Sequence, residues 1–229
     1  MKVDIKGVIV PNDDKKVYDW LGYDATCPQD ITNAISKCND GKIDVYIDSG
    51  GGDVFAGSNI YASLCEISHM VNIHVTGLAA SAASVIMCAA KSDIAPTAMV
   101  MVHNVSASTN GDYNDMIKKS EVLQKANKSI AAAYIKKTGM SESDALAMMD
   151  KETWLTANDA VSCGLVDNIL DKNLQFVARI GASLLSQTTI NKVRRIINLQ
   201  DKSPVDFLML KKEQEILNLL KIGGKKYGF

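Results

Sequence analysis

A serine and its surroundings provide the first sign of chemistry in this chain. Ser81 follows the apolar, β-branched residues 71–76 and precedes the apolar residues 84–90. The first run predicts a strand and the second a buried helix, whose first turn has free N–H groups and a partial positive charge. A hydroxyl there suits an acyl-transfer nucleophile, because negative charge that develops beside it is stabilised. Considered alone, Ser81 fits a simple N-cap as well.

His103 is the best candidate for a base that takes the proton of Ser81. It directly follows residues 94–102, which predict a strand, so it lies at a strand end as Ser81 does. His69 ends a predicted helix and His74 lies inside a predicted strand, which favours packing or surface roles for both. Alone, His103 also fits a core or rim histidine.

The three glycines at positions 50–52 form a strand-to-helix turn with three possible roles. A phosphate cradle would need the lysine of a P-loop or the acidic partner of a dinucleotide site, and neither is present. The turn could instead present N–H groups to an oxyanion, or could be only a tight turn. We favour the oxyanion role. The small residues Gly77, Ala79 and Ala80 would let a substrate backbone approach.

The elements that carry these residues alternate between strands and helices, which predicts an α/β fold with a mostly parallel sheet. Ligand sites in such sheets gather beyond the carboxyl ends of the strands, where the glycine turn, Ser81 and His103 all fall. The predicted strands cover residues 3–10, 43–49, 71–76 and 94–102, with a polar turn after Pro11. The predicted helices cover residues 28–38, 54–68, 84–90, 113–137, 141–149 and 156–164.

Composition excludes several classes of protein. The 229 residues, 47% of them hydrophobic, suffice for one sizeable domain with or without an appendage. A net charge of −1 argues against nucleic-acid binding, and we find neither a signal peptide nor an apolar run long enough for a membrane span. Five widely spaced cysteines indicate a reducing cytoplasm. We expect no metal and no cofactor.

Four motifs, in order, resemble the Clp serine peptidases (ClpP). They are YIDSGGGDVFAG, GLAASAASVIMCAA, MVMVHN and WLTANDAVSCGLVDNIL, and together they cover about residues 40–170. The resemblance implies a crotonase-like α/β spiral with a long handle helix at residues 113–137. It also implies a peptidase with Ser81 as nucleophile, His103 as base, and an oxyanion hole from the N–H groups of Gly52 and Ala82.

The resemblance leaves the acid of the triad open. The family's aspartate position falls on Glu152, which we prefer, and Asp150 two residues earlier competes with it. For both residues a solvated loop carboxylate is the alternative. The chain also has Gly50 where the family usually has a proline, which predicts a more flexible turn.

The resemblance extends to assembly and partners. The segment IVPNDDKKVYDWLGYDAT is similar to the phage and prophage head maturation (prohead) proteases, so we expect capsid or scaffold proteins as substrates in the cytoplasm of a bacterial host. Relatives assemble into paired heptameric rings. This chain begins almost directly with its first predicted strand, so we do not expect a Clp ATPase partner. Residues 1–170 would be the peptidase domain, and 171–229 an extension of amphipathic helices, among them residues 196–199 and 216–220, with a loose tail.

Two other functions stay open. A crotonase-type acyl-CoA enzyme would use the glycine turn but leave Ser81 and His103 without a role. A ring-forming assembly protein with a weak site is compatible with Gly50 and with glutamate at position 152.

Overall fold

A mostly parallel sheet with helices packed on it organises the larger of two compact units. The computed structural model describes residues 1–38, 41–170 and 185–199, and the chain divides into residues 1–184 and 185–229. The described strands are β1 (Lys2–Ile9), β2 (Ala25–Thr26), β3 (Ile43–Gly52), β4 (Val71–Ala80), β5 (Lys91–Ile94), β6 (Met99–Val102), β7 (Thr153–Thr156) and β8 (Asn168–Ile169). Their order is β2-β1-β3-β4-β5-β8, with β6 on β4 and β7 on β6. Each pairing is parallel except β6 with β7, which confirms the predicted α/β class.

The helices of the larger unit, apart from the helix Asn12–Leu21, share one apolar core with this sheet. The core includes Ile47 on β3, Ile73 and Val75 on β4, and Ile60 on a helix, all fully buried. The helices are α1 (Asn12–Leu21), α2 (Pro28–Ser36), α3 (Val54–Glu66), α4 (Ala82–Met87), α5 (Tyr113–Thr138), α6 (Glu142–Asp150) and α7 (Ala157–Ser162). The alternating exposure along β1 and β3 leaves a polar face of the sheet open.

Helix α1 lies where the sequence predicted only a polar turn, so that prediction was wrong. Two aspartates in its first turn stabilise the helix because their negative charge lies at the positive end of the helix dipole. Gly22 ends the helix in the left-handed conformation. Val17 and Tyr18 are buried and anchor the helix. The segment NDDKK is polar, but together with the apolar residues that follow it forms an amphipathic helix.

The strand predicted over residues 94–102 is divided in two. β5 pairs with the first half of β4, and β6 pairs with its last residues, Leu78–Ala80. Pro96 lies in the turn between them, which the Ala98 N–H closes by donating to the Ala95 carbonyl. β7, which lies outside the predicted strands, pairs antiparallel with β6. The division lets one strand, β4, support both β5 and the strand that leads to His103.

The small residues before Ser81 have a structural task that the sequence did not indicate. A Cβ added to Gly77 would lie 2.4 Å from Oδ1 of Asp48, and this carboxylate accepts a hydrogen bond from the Leu78 N–H. Ala79 and Ala80 are buried. Gly77 therefore makes room for Asp48 at an irregularity between β3 and β4, and the expectation that a substrate approaches here was wrong.

Helix α5 has two contrasting halves. Its first half is almost wholly exposed and presents the apolar side chains of Tyr113, Met116, Ile117 and Val122. Its second half is packed into the core through Ile130 and Tyr134. The observed range, Tyr113–Thr138, confirms the predicted long helix to within one residue.

In the second unit, the described residues form helix α8 (Gln187–Leu199). It includes residues 196–199, where an amphipathic helix was predicted, and Ile190, Val193 and Ile196 share one side of it. The helix predicted around residues 216–220 and the tail lie outside the described residues. Within the described ranges, no helix combines the length and apolar character needed to cross a bilayer.

Candidate active site

Ser81 lies in a strained backbone turn between β4 and α4. Its φ of 54° and ψ of −125° are unusual for a residue with a side chain. The main chain is fixed in this turn: the Ser81 N–H donates to the Met101 carbonyl at 3.0 Å, and its carbonyl accepts from the Ser84 N–H. The Ser81 side chain does not cap α4. The N-cap alternative therefore does not explain the hydroxyl, which is directed elsewhere.

The Ser81 hydroxyl faces His103. Nε2 of His103 lies 2.7 Å from Oγ of Ser81, within hydrogen-bond reach. The topology explains the meeting: β6 runs parallel to the end of β4 with Met101 opposite Ala80, so the residues after the two strands emerge side by side. The structure thus brings together the two residues that the sequence singled out as nucleophile and base.

The other histidines lie away from this pair. His69 is in a short 3₁₀ turn, Ser68–Met70, after α3. Nδ1 of His74 is 2.8 Å from Oδ1 of Asp93, and its Nε2 is 3.6 Å from Oδ1 of Asp44. The hydrogen bond with Asp93 raises the pKa of His74 above its usual value. Both positions agree with the surface roles expected for these histidines.

The glycine turn approaches Ser81 most closely at Gly51, which the sequence analysis did not single out. Gly51 has a φ of 90°, and an added Cβ would lie 2.7 Å from the Ser81 Cβ and 3.0 Å from the Ala82 nitrogen. Its N–H donates to Oγ of Ser49, so it serves the turn itself. Gly52, at φ 152°, is pressed against β1, where an added Cβ would lie 2.1 Å from the Ile9 carbonyl oxygen. The turn and the start of α4 are thus adjacent, with Gly52 and Ala82 still the predicted oxyanion donors.

The two candidate acids lie near the site but bond to other residues. Glu152 is exposed and accepts a hydrogen bond from Nε1 of Trp154 at 3.4 Å. Asp150 accepts from Nδ2 of Asn104 at 2.7 Å. In the described part of the chain, His103 has no hydrogen bond or ion pair with a carboxylate. The identity of the triad acid therefore stays a prediction.

The predicted nucleophile and one of the predicted acids share an uncommon backbone conformation. Among the described residues other than glycine, only Ser81 and Glu152 have a positive φ, 54° and 47°. Strained backbone persists only where the surrounding structure enforces it, and it clusters at functional sites. At Glu152 the positive φ follows the end of α6, where its N–H donates to the Met149 carbonyl, so helix termination explains it and it does not separate Glu152 from Asp150.

Asn104 belongs to this neighbourhood, although the sequence analysis passed over it. It directly follows His103, lines the same cleft and bonds to Asp150. Its Oδ1 is buried with no hydrogen-bond partner in the described residues. The only sequence signal was an amide side chain next to the candidate base. Asn104 connects the strand end that carries His103 to the loop that carries both acids.

Ser81 and His103 open into a cleft of about 460 Å³. The glycine turn lines one end, and α5 and the residues after His103 line the rest. Oγ of Ser84 lies 2.8 Å from the Tyr134 hydroxyl and donates to the Ser81 carbonyl at 2.7 Å. Burial raises the pKa of Tyr134, so its phenol stays neutral. This chain of bonds fixes α5 to the turn of Ser81, another contact that the sequence did not reveal.

The alternatives of a thiol nucleophile or a metal have little support here. Burial raises the pKa of Cys88 to about 12, so its thiol stays protonated at neutral pH, as expected for a small buried hydrophobic residue. Burial also raises the pKa of Cys27. Within the described ranges, no three His, Cys, Asp or Glu residues are grouped to hold a metal ion.

Comparisons with known proteins extend these observations. The family model described as Clp protease matches residues 29–173. Two ATP-dependent Clp protease proteolytic subunits, from two strains of Bacteroides fragilis, are each 34% identical over 133 residues. The match covers 57% of this chain and 64% and 60% of the two relatives, slightly less than two thirds of each.

Proposed function

Because the chain belongs to the Clp protease family, we propose that it is a serine-type peptidase with Ser81 as nucleophile and His103 as general base. One observation carries the proposal. Oγ of Ser81 and Nε2 of His103 lie 2.7 Å apart, and both residues line a cleft of about 460 Å³. Family membership supports the reaction class, and the geometry supports the two roles.

In the proposed mechanism, Ser81 Oγ attacks the carbonyl carbon of the scissile peptide bond while His103 Nε2 accepts its proton. The N–H groups of Gly52 and Ala82 are the proposed donors to the oxyanion. His103 then protonates the leaving amine, and the acyl group stays on Ser81. A water molecule, deprotonated by His103, releases the acid product and restores the hydroxyl.

Glu152 is the proposed acid that orients His103. Its support is its place at the family's aspartate position. Its carboxylate would have to exchange the bond from Trp154 for one with His103, which an exposed side chain can do by rotation. Asp150 is the alternative acid. It accepts a hydrogen bond from Asn104, the residue that directly follows His103 in the chain.

Labelling with a serine-directed phosphonate tests the role of Ser81. We expect the wild type to be labelled and the Ser81→Ala variant to be unlabelled, with peptide cleavage lost in parallel. Thermal unfolding of both proteins controls for folding. Equal labelling of the two proteins would exclude Ser81 as the nucleophile.

A ring-forming assembly protein without peptidase activity is the second candidate. Its support is the missing bond between His103 and a carboxylate in the described residues. Incubation with casein and with a candidate capsid precursor separates the two functions. Cleavage that disappears in Ser81→Ala would end the second candidate.

We further propose that the chain is a homo-oligomer, with heptameric rings as the expected form, of the prohead protease branch. The support is the exposed apolar half of α5, through Tyr113, Met116 and Ile117, and the resemblance of residues 9–26 to phage members. Native mass spectrometry should show a multiple of the 24.7 kDa chain mass. A monomer at micromolar concentration would contradict the ring.

The expected substrates are capsid or scaffold proteins in the cytoplasm of a bacterial host, cleaved by a peptidase domain of residues 1–170 without an ATPase. The support is the phage resemblance together with the site, which lies wholly within residues 50–152. Cleavage of the capsid precursor in the absence of ATP and of any partner is the expected result. A requirement for an added ATPase would contradict it.

A further inference from the structure

The catalytic cleft is also lined by a lysine, Lys119, that has no carboxylate partner among the described residues. Lys119 is half-buried, whereas residues 113–118 before it and Ser120 after it are exposed. It lines the catalytic cleft and also the adjoining cavity of about 350 Å³. Its side chain therefore lies along the cleft wall, unlike those of the neighbouring residues.

The cleft face of α5 is otherwise apolar. Lys119 shares it with residues at helical spacings of three, four, seven and eleven: Val122, Leu123, Ala126 and Ile130. Residues 104–107 also line the cleft, and this segment is held to α5 by a hydrogen bond from the Val105 N–H to Oδ1 of Asn127 at 2.8 Å. A peptide in the cleft would thus pass an apolar wall and meet an ammonium group at its end.

The acidic groups of the neighbourhood are bound elsewhere. Asp53, the carboxylate among the cleft residues, accepts the Ala56 N–H at the glycine end of the cleft. Asp115, one helical turn before Lys119, accepts the Asp112 N–H at the start of α5. In the described residues no ion pair joins Lys119 to a carboxylate. Within the described residues, the ammonium group of Lys119 is therefore available to pair with an acidic side chain of a substrate.

We propose that Lys119 is a specificity residue that selects substrates with an acidic side chain about five residues from the scissile bond. This inference rests on the proposed peptidase function. Ile130 lies one helical turn before Tyr134, which is bonded through Ser84 to the Ser81 carbonyl, so it marks the Ser81 end of the cleft face of α5. Eleven positions separate Lys119 from Ile130, which is about 16 Å along a helix. An extended peptide rises about 3.3 Å per residue, so about five residues cover that distance.

A glutamate walk tests the proposal. A neutral peptide with one cleavage site receives a single glutamate at each position from seven before to seven after the scissile bond, and each peptide has a glutamine twin. In wild type, we expect the glutamate-to-glutamine ratio of kcat/KM to reach about three- to ten-fold near the fifth position on one side, mainly through KM. The ratio should fall as salt rises, because the contact is partly exposed.

Three variants decide whether Lys119 causes the preference. Lys119→Met should bring the ratio to about one, and Lys119→Glu should shift the preference to a lysine peptide. Lys118→Met removes an exposed neighbouring charge outside the cleft and should retain the wild-type ratio. A flat profile in wild type, or a peak that survives in Lys119→Met, would overturn the proposal.

A binding measurement keeps this test separate from that of the reaction. The glutamate and glutamine peptides are titrated against Ser81→Ala by fluorescence anisotropy, with and without Lys119→Met. Tighter binding of the glutamate peptide that depends on Lys119 supports the subsite even if no peptide is cleaved. Equal affinities overturn the subsite even if the peptidase function holds.

Discussion

His103 and His74 are carried by paired strands but have opposite surroundings. His74 lies on β4 at the open polar face of the sheet, between the carboxylates of Asp93 and Asp44. His103 follows β6 and faces the Ser81 hydroxyl in the cleft, with no carboxylate bonded to it in the described residues. Among the described residues, His74 thus contacts two carboxylates, whereas His103 contacts a hydroxyl and no carboxylate.

The comparison separates two uses of a histidine. The carboxylates around His74 favour its protonated form, which suits an ion pair and would prevent it from accepting a proton. A general base must have a ring nitrogen within reach of the nucleophile, and Nε2 of His103 lies 2.7 Å from Oγ of Ser81. The environments are therefore consistent with the proposed role of His103 as base and with charge pairing by His74.

Removal of each histidine should produce the largest contrast. We expect His103→Ala to reduce kcat/KM for peptide cleavage by at least about 10³-fold, because His103 is the base that bonds to Oγ of Ser81 in the described residues. His74→Ala should stay within about two-fold, since its contacts lie on the open sheet face. Steady-state kinetics on one fluorogenic peptide checks both. Comparable losses in the two variants would remove the distinction.

A substitution of Glu152 tests whether its carboxylate bonds to His103 during catalysis, since no carboxylate does so in the described residues. Glu152→Gln keeps the size of the side chain and removes its charge, so a triad acid at this position predicts a loss of about 10² to 10⁴ in kcat. Asp150→Asn, the matched change at the rival position, should cost less than about ten-fold, because an amide can still accept from Asn104. The reverse order would identify Asp150 as the acid. Small losses in both would favour the weak-site alternative.

The sequence predicted the meeting of Ser81 and His103 because parallel strand ends converge at one edge of a sheet. That argument needed only the positions of two strands and of the residues after them. It did not need the correct strand bounds, and the division at Pro96 left the outcome unchanged. The long helix was also predictable, because apolar residues recur at helical spacing along it and Gly139 ends it.

The features that the sequence did not predict depend on contacts between residues that are far apart in the chain. The role of Gly51 arises from its distance to Ser81, thirty positions away, and that of Gly77 from Asp48. No local pattern marks either contact. The partners of Glu152 and Asp150 are set by Trp154 and Asn104, so the position of the acid could not be settled by spacing alone.

Gly51 provides a further test of the comparison between the two histidines, because its lack of a side chain leaves room for the Ser81 turn that faces His103. Gly51→Ala should lower the free energy of unfolding by more than about 2 kcal/mol, since the new methyl group meets the Ser81 turn at a φ of 90°. Gly50→Ala is the control: no atom outside its chain neighbours lies within 4 Å of the added Cβ, and the expected change is within about 0.5 kcal/mol. Urea unfolding measures both. Equal effects would mean that the close approach at Gly51 is relieved at no cost.

The smallest expected effect is a pH dependence of stability that comes from His74. Its pKa is raised in the folded protein, first by the hydrogen bond with Asp93 and also by Asp44. The folded state therefore binds more protons than the unfolded state above about pH 6.5, the usual histidine pKa. The stabilisation is complete below that pH and is lost as the pH rises through the folded pKa. Because Asp44 is 41% exposed and Asp93 24%, we expect less than about 1 kcal/mol.

Asp93→Asn isolates this contribution. It removes the nearest charge from His74 while His103 and the cleft stay unchanged, so the pKa of His74 should move toward its ordinary value and the loss of stability above pH 6.5 should shrink. Titration of the His74 ring by NMR gives the pKa, and urea unfolding between about pH 6 and 8.5 gives the stability. If the stability profile keeps its slope in Asp93→Asn, other groups cause it, because Asp44 at 3.6 Å is too weak a partner to sustain the shift alone. Two histidines with unequal surroundings would then differ only in position, and the assignment of charge pairing to His74 would fail.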